Sequence, residues 1–475
     1  MTSSAIPNLP VTGQKARISS DQAEKGLRNE DLTKDFPARF TDLKKVLWKD
    51  ELSKSWVEVL QELETTAERI SQHGTNLIPR VTHAELCSGL TAENLAKLKE
   101  TGVIIVTGSV TKEEALRWKQ DIKDYAAANS DHLVGYPPNN IQIFELYNAP
   151  AQIEARIHPG MISTHKSLLS LLHVSDPKPA VHDVDLRCPI SYFDRLRIRL
   201  PGDKTYTLGP HVDGGSVERW EDPEYRSVYQ KILDGNWKEY DPLDVKNRAG
   251  AKQDLYHGPN NCSIFRPWQG WTSLSTTGPT EGTLRVLPAL SVVTAYMLLR
   301  PFFRLKKDAT PGSLKAEDWE VDLDNPEFHG CILGGKQKFS NESHPHLRLD
   351  QTLISIPTVE PGDQVYWFCD ILHAVEFEHR GKEDSSVIYI PAAPLTVLNA
   401  AYLRKQRETF VAGLPAPDFP GGEGESRFTG RVKPEDIASK EGRQAIGLES
   451  FVFDEDANDS KKQEFFREVN RVLGF

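Results

Sequence analysis

The stretch Gly209-Pro210-His211-Val212-Asp213-Gly214-Gly215 constrains the fold of this chain more than any other. Residues two apart on a strand share a face, so His211 and Asp213 can aim an imidazole and a carboxylate at one point. The stretch is answered far downstream by Pro361-Gly362-Asp363-Gln364-Val365-Tyr366-Trp367-Phe368, with His373 just beyond. A histidine delivered from that distant strand completes a facial triad. Two histidines and one carboxylate, with the remaining coordination positions open, suit non-haem Fe(II) and the activation of oxygen. Read without chemistry, the same residues are a core histidine and two turn residues.

The segments around these motifs read as short strands. Leu196, Ile198 and Leu200 alternate with Arg195, Arg197 and Arg199 at a period of two, and Pro201-Gly202-Asp203-Lys204 is a turn. Further strands are expected at 263–265, 271–275, 281–288, 353–356, 365–368 and 387–390. Many short strands separated by Gly, Pro and Asp turns argue for a sandwich or barrel. Residues 216–260 and 300–350 interrupt the series as insertions, and their place beside the strands suggests lids.

Helices flank this β region. Residues 1–35, rich in Ser, Thr, Asn, Pro and charge, read as a flexible leader. From Phe40 to Ile70 apolar residues recur at helical spacing (Leu43, Val46, Leu47, then Leu52, Trp56, Val59, Leu60, Leu63), an amphipathic pair whose stripe must pack on the body. Thr91 caps a helix over 92–100 that ends at Gly102. The apolar strand Val103-Ile104-Ile105-Val106 follows, and Thr111 opens a helix to Tyr125. Residues 141–180 read as helical. The tail carries a helix through Tyr402–Phe410, a Gly/Pro-rich loop over 414–425 and a last helix over 461–473. The expected organisation is therefore the leader followed by one domain over 36–475, with a mostly helical part (36–190), a β core (191–396) and a C-terminal extension (397–475).

Composition narrows the function. With 475 residues, 38% hydrophobic and 26% charged, the chain suits a globular protein, and a net charge of −11 argues against a nucleic-acid surface. No apolar run is long enough to span a bilayer, and Met1 to Gln14 does not read as a secretory signal. The five cysteines are scattered, with no CxxC pair, so a reducing, cytoplasmic setting is expected rather than a disulfide framework or a thiolate zinc site. Cys369, near His373, reads as a small buried residue rather than a nucleophile. His158, His165 and His173 have no partner at chelating spacing. His344-Pro345-His346 lies among polar residues and reads as an exposed loop without function. Gly334-Gly335-Lys336 lacks the rest of a P-loop.

Taken together, the His-x-Asp, the Gly-Asp strand and the distal His resemble the Fe(II)/2-oxoglutarate-dependent oxygenases, whose core is a double-stranded β-helix (jelly roll, cupin-like). Within them the chain looks closest to the phytanoyl-CoA dioxygenase-like branch, and more narrowly to the YbiU-like family of unassigned function, through the loop Pro415-Ala416-Pro417-Asp418-Phe419-Pro420-Gly421-Gly422-Glu423. The resemblance implies an α+β chain with a jelly-roll core between N- and C-terminal helices. It further implies Fe(II) on His211, Asp213 and His373, with 2-oxoglutarate and O2 as cosubstrates. The reaction would be hydroxylation of a small molecule with release of succinate and CO2. Trp271 falls on a strand that lines the cosubstrate pocket in that branch, with Tyr366-Trp367-Phe368 as further apolar wall.

One departure stands out. Many relatives place an Arg about ten residues after the distal His to grip the remote carboxylate of 2-oxoglutarate; here that stretch is Lys382-Glu383-Asp384-Ser385-Ser386. Another cation must do this work, and bidentate geometry favours Arg. Arg285 is the preferred candidate, with Arg266, Arg197, Arg199 and Arg380 behind it; Ser385 and Ser386 can add hydroxyls. Without such a cation, the alternatives are a cupin-type metal-dependent isomerase or lyase, or a non-catalytic small-molecule binding protein. The arginine-rich strands allow an anionic substrate.

Overall fold

The computed structural model describes residues 36–175, 184–258, 260–419, 421–452 and 460–475, so the expected leader lies outside it. The described chain is a mixed α+β structure built on two principal sheets. The larger has eight strands in the spatial order Arg80–Thr82, Val103–Thr107, Gln364–Phe368, Trp268–Ser273, Ser385–Tyr389, Leu196–Arg199, Ile143–Phe144 and Gly135–Tyr136. Only the Arg80–Thr82 and Val103–Thr107 pair runs parallel. The smaller sheet orders Gln337–Lys338, His211–Val212, His373–Val375, Leu284–Val286 and Ile354–Ser355, all antiparallel. Residues of both sheets line one cavity of about 1180 Å³.

Period-two patterning decides which side chains reach that cavity. Leu196 and Ile198 are buried against Trp118 and Ile122 of the helix Lys112–Ala128. Arg197 and Arg199 consequently point the other way, and that face is the cavity rather than solvent. The helix Lys112–Ala128 starts where Thr111 and Glu114 form a capping box, and the helix Ala92–Thr101 is capped by Thr91 and ends at Gly102 in the left-handed region.

The helices Arg39–Leu47 and Glu51–His73 hold to their expected stripe except at Val46, which is 77% exposed. Trp56 stacks on Phe303 at 4.3 Å and on Tyr296 at 5.6 Å, so the pair is scaffold. Several expectations shift. Residues 141–180 include the strand Ile143–Phe144 before the helices Pro150–Ile157 and Pro159–Ser170, and 263–265 forms no strand. His344-Pro345-His346 is not an exposed loop. His344 is fully buried and His346 nearly so, packed around Tyr296, Trp319 and Phe339. Their polar sequence neighbours misled, because aromatic rings from other segments supply the burial. Among the described residues no helix is long and apolar enough to cross a membrane.

Candidate metal centre

His211 and His373 are direct cross-strand partners in the smaller sheet, which brings their rings to 4.2 Å between centroids. Each imidazole is fixed from behind by a backbone carbonyl. His211 Nδ1 donates to Gly209 O at 2.8 Å, and His373 Nδ1 donates to Ile371 O at 2.9 Å. A carbonyl can only accept, so Nδ1 carries a proton in both rings and Nε2 is the ring atom turned to the site. Asp213 completes the group, with Oδ1 3.7 Å from His211 Nε2 and Oδ2 3.6 Å from His373 Nε2. One ligand atom from each residue lies within 4.8 Å of the others, and all three residues are buried. This is the only such cluster among the described residues. His158 caps its helix, His165 sits edge-on to Tyr366 and His173 faces Asp241, so none joins the site.

Asp213 reaches the cluster because the strand ends at Val212 and the chain turns through Gly214 (φ 77°) and Gly215 (φ 91°). A Cβ on Gly215 would come within 2.7 Å of Gln253 O, so both the backbone conformation and the close approach require glycine. Arg219 staples the turn, donating to Asp213 O and Gly215 O, both at 2.9 Å, while Tyr225 Oη donates to Gly214 O at 2.6 Å. The loop before His373 is held in the same way. Asp370 accepts from Tyr229 Oη at 2.8 Å and Tyr240 Oη at 3.1 Å, and pairs with Arg248. Arg219, Tyr225, Tyr229, Tyr240 and Arg248 all come from 216–260. That insertion is therefore a buried brace for both ligand-bearing turns, not a lid. The second insertion contributes the strand Gln337–Lys338, paired to the His211 strand, and the loop carrying Lys336.

Charge at the site keeps the carboxylate ionised. Burial alone would raise the Asp213 carboxyl, but Lys336 and the two imidazoles outweigh it and hold the group well below the usual carboxylate range. Lys336 Nζ sits 2.7 Å from Asp213 Oδ1 as an ion pair rather than an aligned hydrogen bond. Burial, with His373 beside it, pushes His211 down to about 3, so its ring is neutral at physiological pH. The donor set, two imidazole Nε2 atoms and an ionised carboxylate, fits a first-row divalent ion such as Fe(II). Cys369 has its thiol pushed up to about 12 by burial and is inert beside the site.

The other expected residues divide by strand face. Trp271 and Ser385 line the cavity, as does Trp367, whose ring lies 5.2 Å from that of His373. Ser386 points away, its hydroxyl donating to Asp384 Oδ1 at 2.6 Å. Arg285 also points away: Leu284 takes the cavity face of that strand, and the Arg285 guanidinium donates to Leu353 O at 2.7 Å. The preferred anchor for a remote carboxylate is therefore corrected, for the elementary reason that neighbouring strand residues face opposite sides. Arg380 is exposed and paired with Glu378. The cavity's cations are instead Arg195, Arg197, Arg199, Arg266, Lys336 and Lys338, six against the three carboxylates Glu145, Asp194 and Asp213. Lys336 had no sequence signal, since Gly334-Gly335-Lys336 matches no motif. Arg219 and Arg248 were equally silent in a stretch of sparse apolar residues.

A buried His-Asp-His group on the inner face of one of two sheets defines an α+β protein with a candidate mononuclear metal site. A family model described as Gig2-like matches residues 34–448, and the chain belongs to the Gig2-like family. It is 30% identical over 391 residues to the Escherichia coli protein YbiU, covering 80% of this chain and 87% of that one. The crystal structure of GlcNAc Inducible Gene 2 from Candida albicans is 30% identical, with a TM-score of 0.83, covering 92% of this chain and 95% of that one. A structure from Salmonella typhimurium LT2, described provisionally as an oxidoreductase, is 29% identical with a TM-score of 0.75, covering 87% and 97%.

Proposed function

We propose that the protein is a non-haem Fe(II)- and 2-oxoglutarate-dependent oxygenase that hydroxylates a small molecule. The convergence of His211, Asp213 and His373 on one point of a large cavity carries the reading. The strand order supports it. The strands 196–199, 268–273, 364–368 and 385–389 fall in one sheet, and 211–212, 284–286, 354–355 and 373–375 in the other. Among these eight, successive strands alternate between the sheets except at 284–286 and 354–355, which pair within the smaller one, an order that suits a double-stranded β-helix. The description of the Salmonella relative as an oxidoreductase agrees with this chemistry.

The chain's own residues have definite tasks. His211 and His373 present fixed Nε2 atoms and Asp213 an anionic oxygen, and these three would hold the ion at the wall of the cavity, into which a keto acid and O2 could enter. Bound iron with these cosubstrates supplies oxidative decarboxylation, yielding succinate and CO2, coupled to C–H hydroxylation. Trp271 and Trp367 wall the site and exclude water from it. The cationic lining suits an anionic small molecule as substrate.

Purified protein reconstituted with Fe(II) and given 2-oxoglutarate in air should release succinate, with O2 consumed. His373→Ala and Asp213→Ala should abolish this while their circular dichroism stays native. Succinate release at the native rate in either variant contradicts the assignment.

A further inference from the structure

Five of the six cavity cations face a carboxylate or are engaged within the fold. Arg199 is saturated: it pairs with Asp203 at 2.8 Å and donates to Glu376 O, Phe377 O and Asp203 O. Arg195 pairs with Glu145 at 3.2 Å and with Asp194. Arg266 lies 3.8 Å from Asp213 and donates to Gln269 Oε1 at 3.0 Å. Lys336 pairs with Asp213, and Lys338 is engaged within the fold. Arg197 differs from all of these. It is 5% exposed and lines the cavity, yet no carboxylate among the described residues lies within ion-pair distance of it. Its contacts are to neutral groups, Tyr206 O at 2.8 Å, Gln142 Oε1 at 3.5 Å, the Tyr206 ring at 5.9 Å and the Tyr389 hydroxyl, and its Nε is buried without any partner.

A buried guanidinium without a counter-anion is expensive. Burial already pulls its pKa down, and the nearby Asp203 is occupied by Arg199, Thr205 and Gln142. With Nε unpartnered and Nη2 shared between two neutral oxygens, the guanidinium at the cavity wall keeps donor capacity for a carboxylate. Other polar groups in the molecule do less. The buried cluster of Lys44, His344 and His346 opens on no comparable cavity, and the exposed Cys87–His83 pair has nothing to act on.

We infer that Arg197 is the residue by which the cavity holds the carboxylate of a small ligand. Two sources share this chemistry: the end of 2-oxoglutarate remote from the metal, or a carboxylate of the substrate. The inference rests on the oxygenase reading for the first source only, since the subsite itself needs no metal. Arg197 lies on the strand before the His-x-Asp motif, so it would replace the cation that relatives place after the distal His, where this chain has Glu383.

The test compares native protein with Arg197→Gln and Arg197→Lys, each verified as folded by circular dichroism. Anaerobic Fe(II) protein is titrated with 2-oxoglutarate and with 2-oxopentanoate, a keto acid with a methyl in place of the far carboxylate, following the charge-transfer absorption. Metal-free protein is titrated with glutarate, following tryptophan fluorescence. If the keto acid is the source, native protein prefers 2-oxoglutarate by about 10- to 100-fold. Arg197→Gln then erases the preference, Arg197→Lys keeps part of it, and 2-oxopentanoate binding is unchanged. If the substrate is the source, the two keto acids bind alike, while glutarate binding weakens at least about tenfold in Arg197→Gln. A folded Arg197→Gln that keeps both the keto-acid preference and the glutarate affinity overturns the inference, as does native protein that binds no dicarboxylate. Absence of the absorption band with either keto acid in native protein counts against the oxygenase reading alone. The glutarate titration then decides Arg197 by itself.

Discussion

The two walls of the cavity are built on opposite plans. The five-stranded wall presents three ligand atoms whose supports all come from behind: Gly209 O and Ile371 O fix the imidazoles, Arg219 and Tyr225 fix the Asp213 turn, and Asp370 ties down the loop before His373. The eight-stranded wall presents arginines, of which Arg199 is locked by its own neighbours and Arg197 is left with neutral partners. One wall is organised to receive a cation and the other an anion. Rigid support on the metal side and an unsatisfied donor on the other are what a site needs if a chelating acid is to bridge the two.

Substitutions separate the two plans. Arg248→Met would leave the buried Asp370 without its charge partner, and should lower stability in denaturant unfolding by about 3–5 kcal/mol. Arg199→Met should act similarly through Asp203. Arg197→Gln, which breaks no ion pair, should cost far less; equal losses at Arg197 and Arg199 would erase the distinction drawn here. Next in size is a pH effect at Glu218, beside the Asp213 turn. Burial pushes this carboxyl up to about 7, above its unfolded value of 4.5. The folded state therefore binds the extra proton, and stability should be full below about pH 4.5 and fall as pH rises to about 7, by about 1–3 kcal/mol. Glu218→Gln should flatten that slope in thermal melts taken across the range. The smallest effect expected is at Lys336. Replacing it with Met removes a positive charge 2.7 Å from a metal ligand, and should raise divalent-metal affinity a few-fold, about 3- to 10-fold, in a competition assay.

The sequence made legible those parts whose signal is local. The His-x-Asp spacing, the caps at Thr91 and Thr111 and the alternation over 195–200 rest on periodicity or cap chemistry, whereas His373 was reached only by joining two distant motifs. Alternation could say that Arg197 and Arg199 share a face, but not that this face is an interior one, because that depends on the second sheet. Arg285 was preferred as a guanidinium on a neighbouring strand without regard to parity, and the parity of that strand is fixed by its pairing with His373–Val375. The helix Leu290–Leu299 passed unnoticed because it is buried all round and shows no stripe. The bracing role of 216–260 was hidden for a different reason. Its polar contacts from Tyr229, Tyr240 and Arg248 reach Asp370 more than a hundred residues downstream, and that from Arg219 goes to a backbone carbonyl, for which no side-chain pattern gives a signal.

The most direct measurement is anaerobic equilibrium dialysis of Fe(II) against the native chain and against His211→Ala, Asp213→Ala and His373→Ala. Three converging side chains predict one ferrous ion per native chain, with affinity falling more than about 100-fold in each variant. A native chain that retains no iron, or variants that retain it undiminished, would contradict the account.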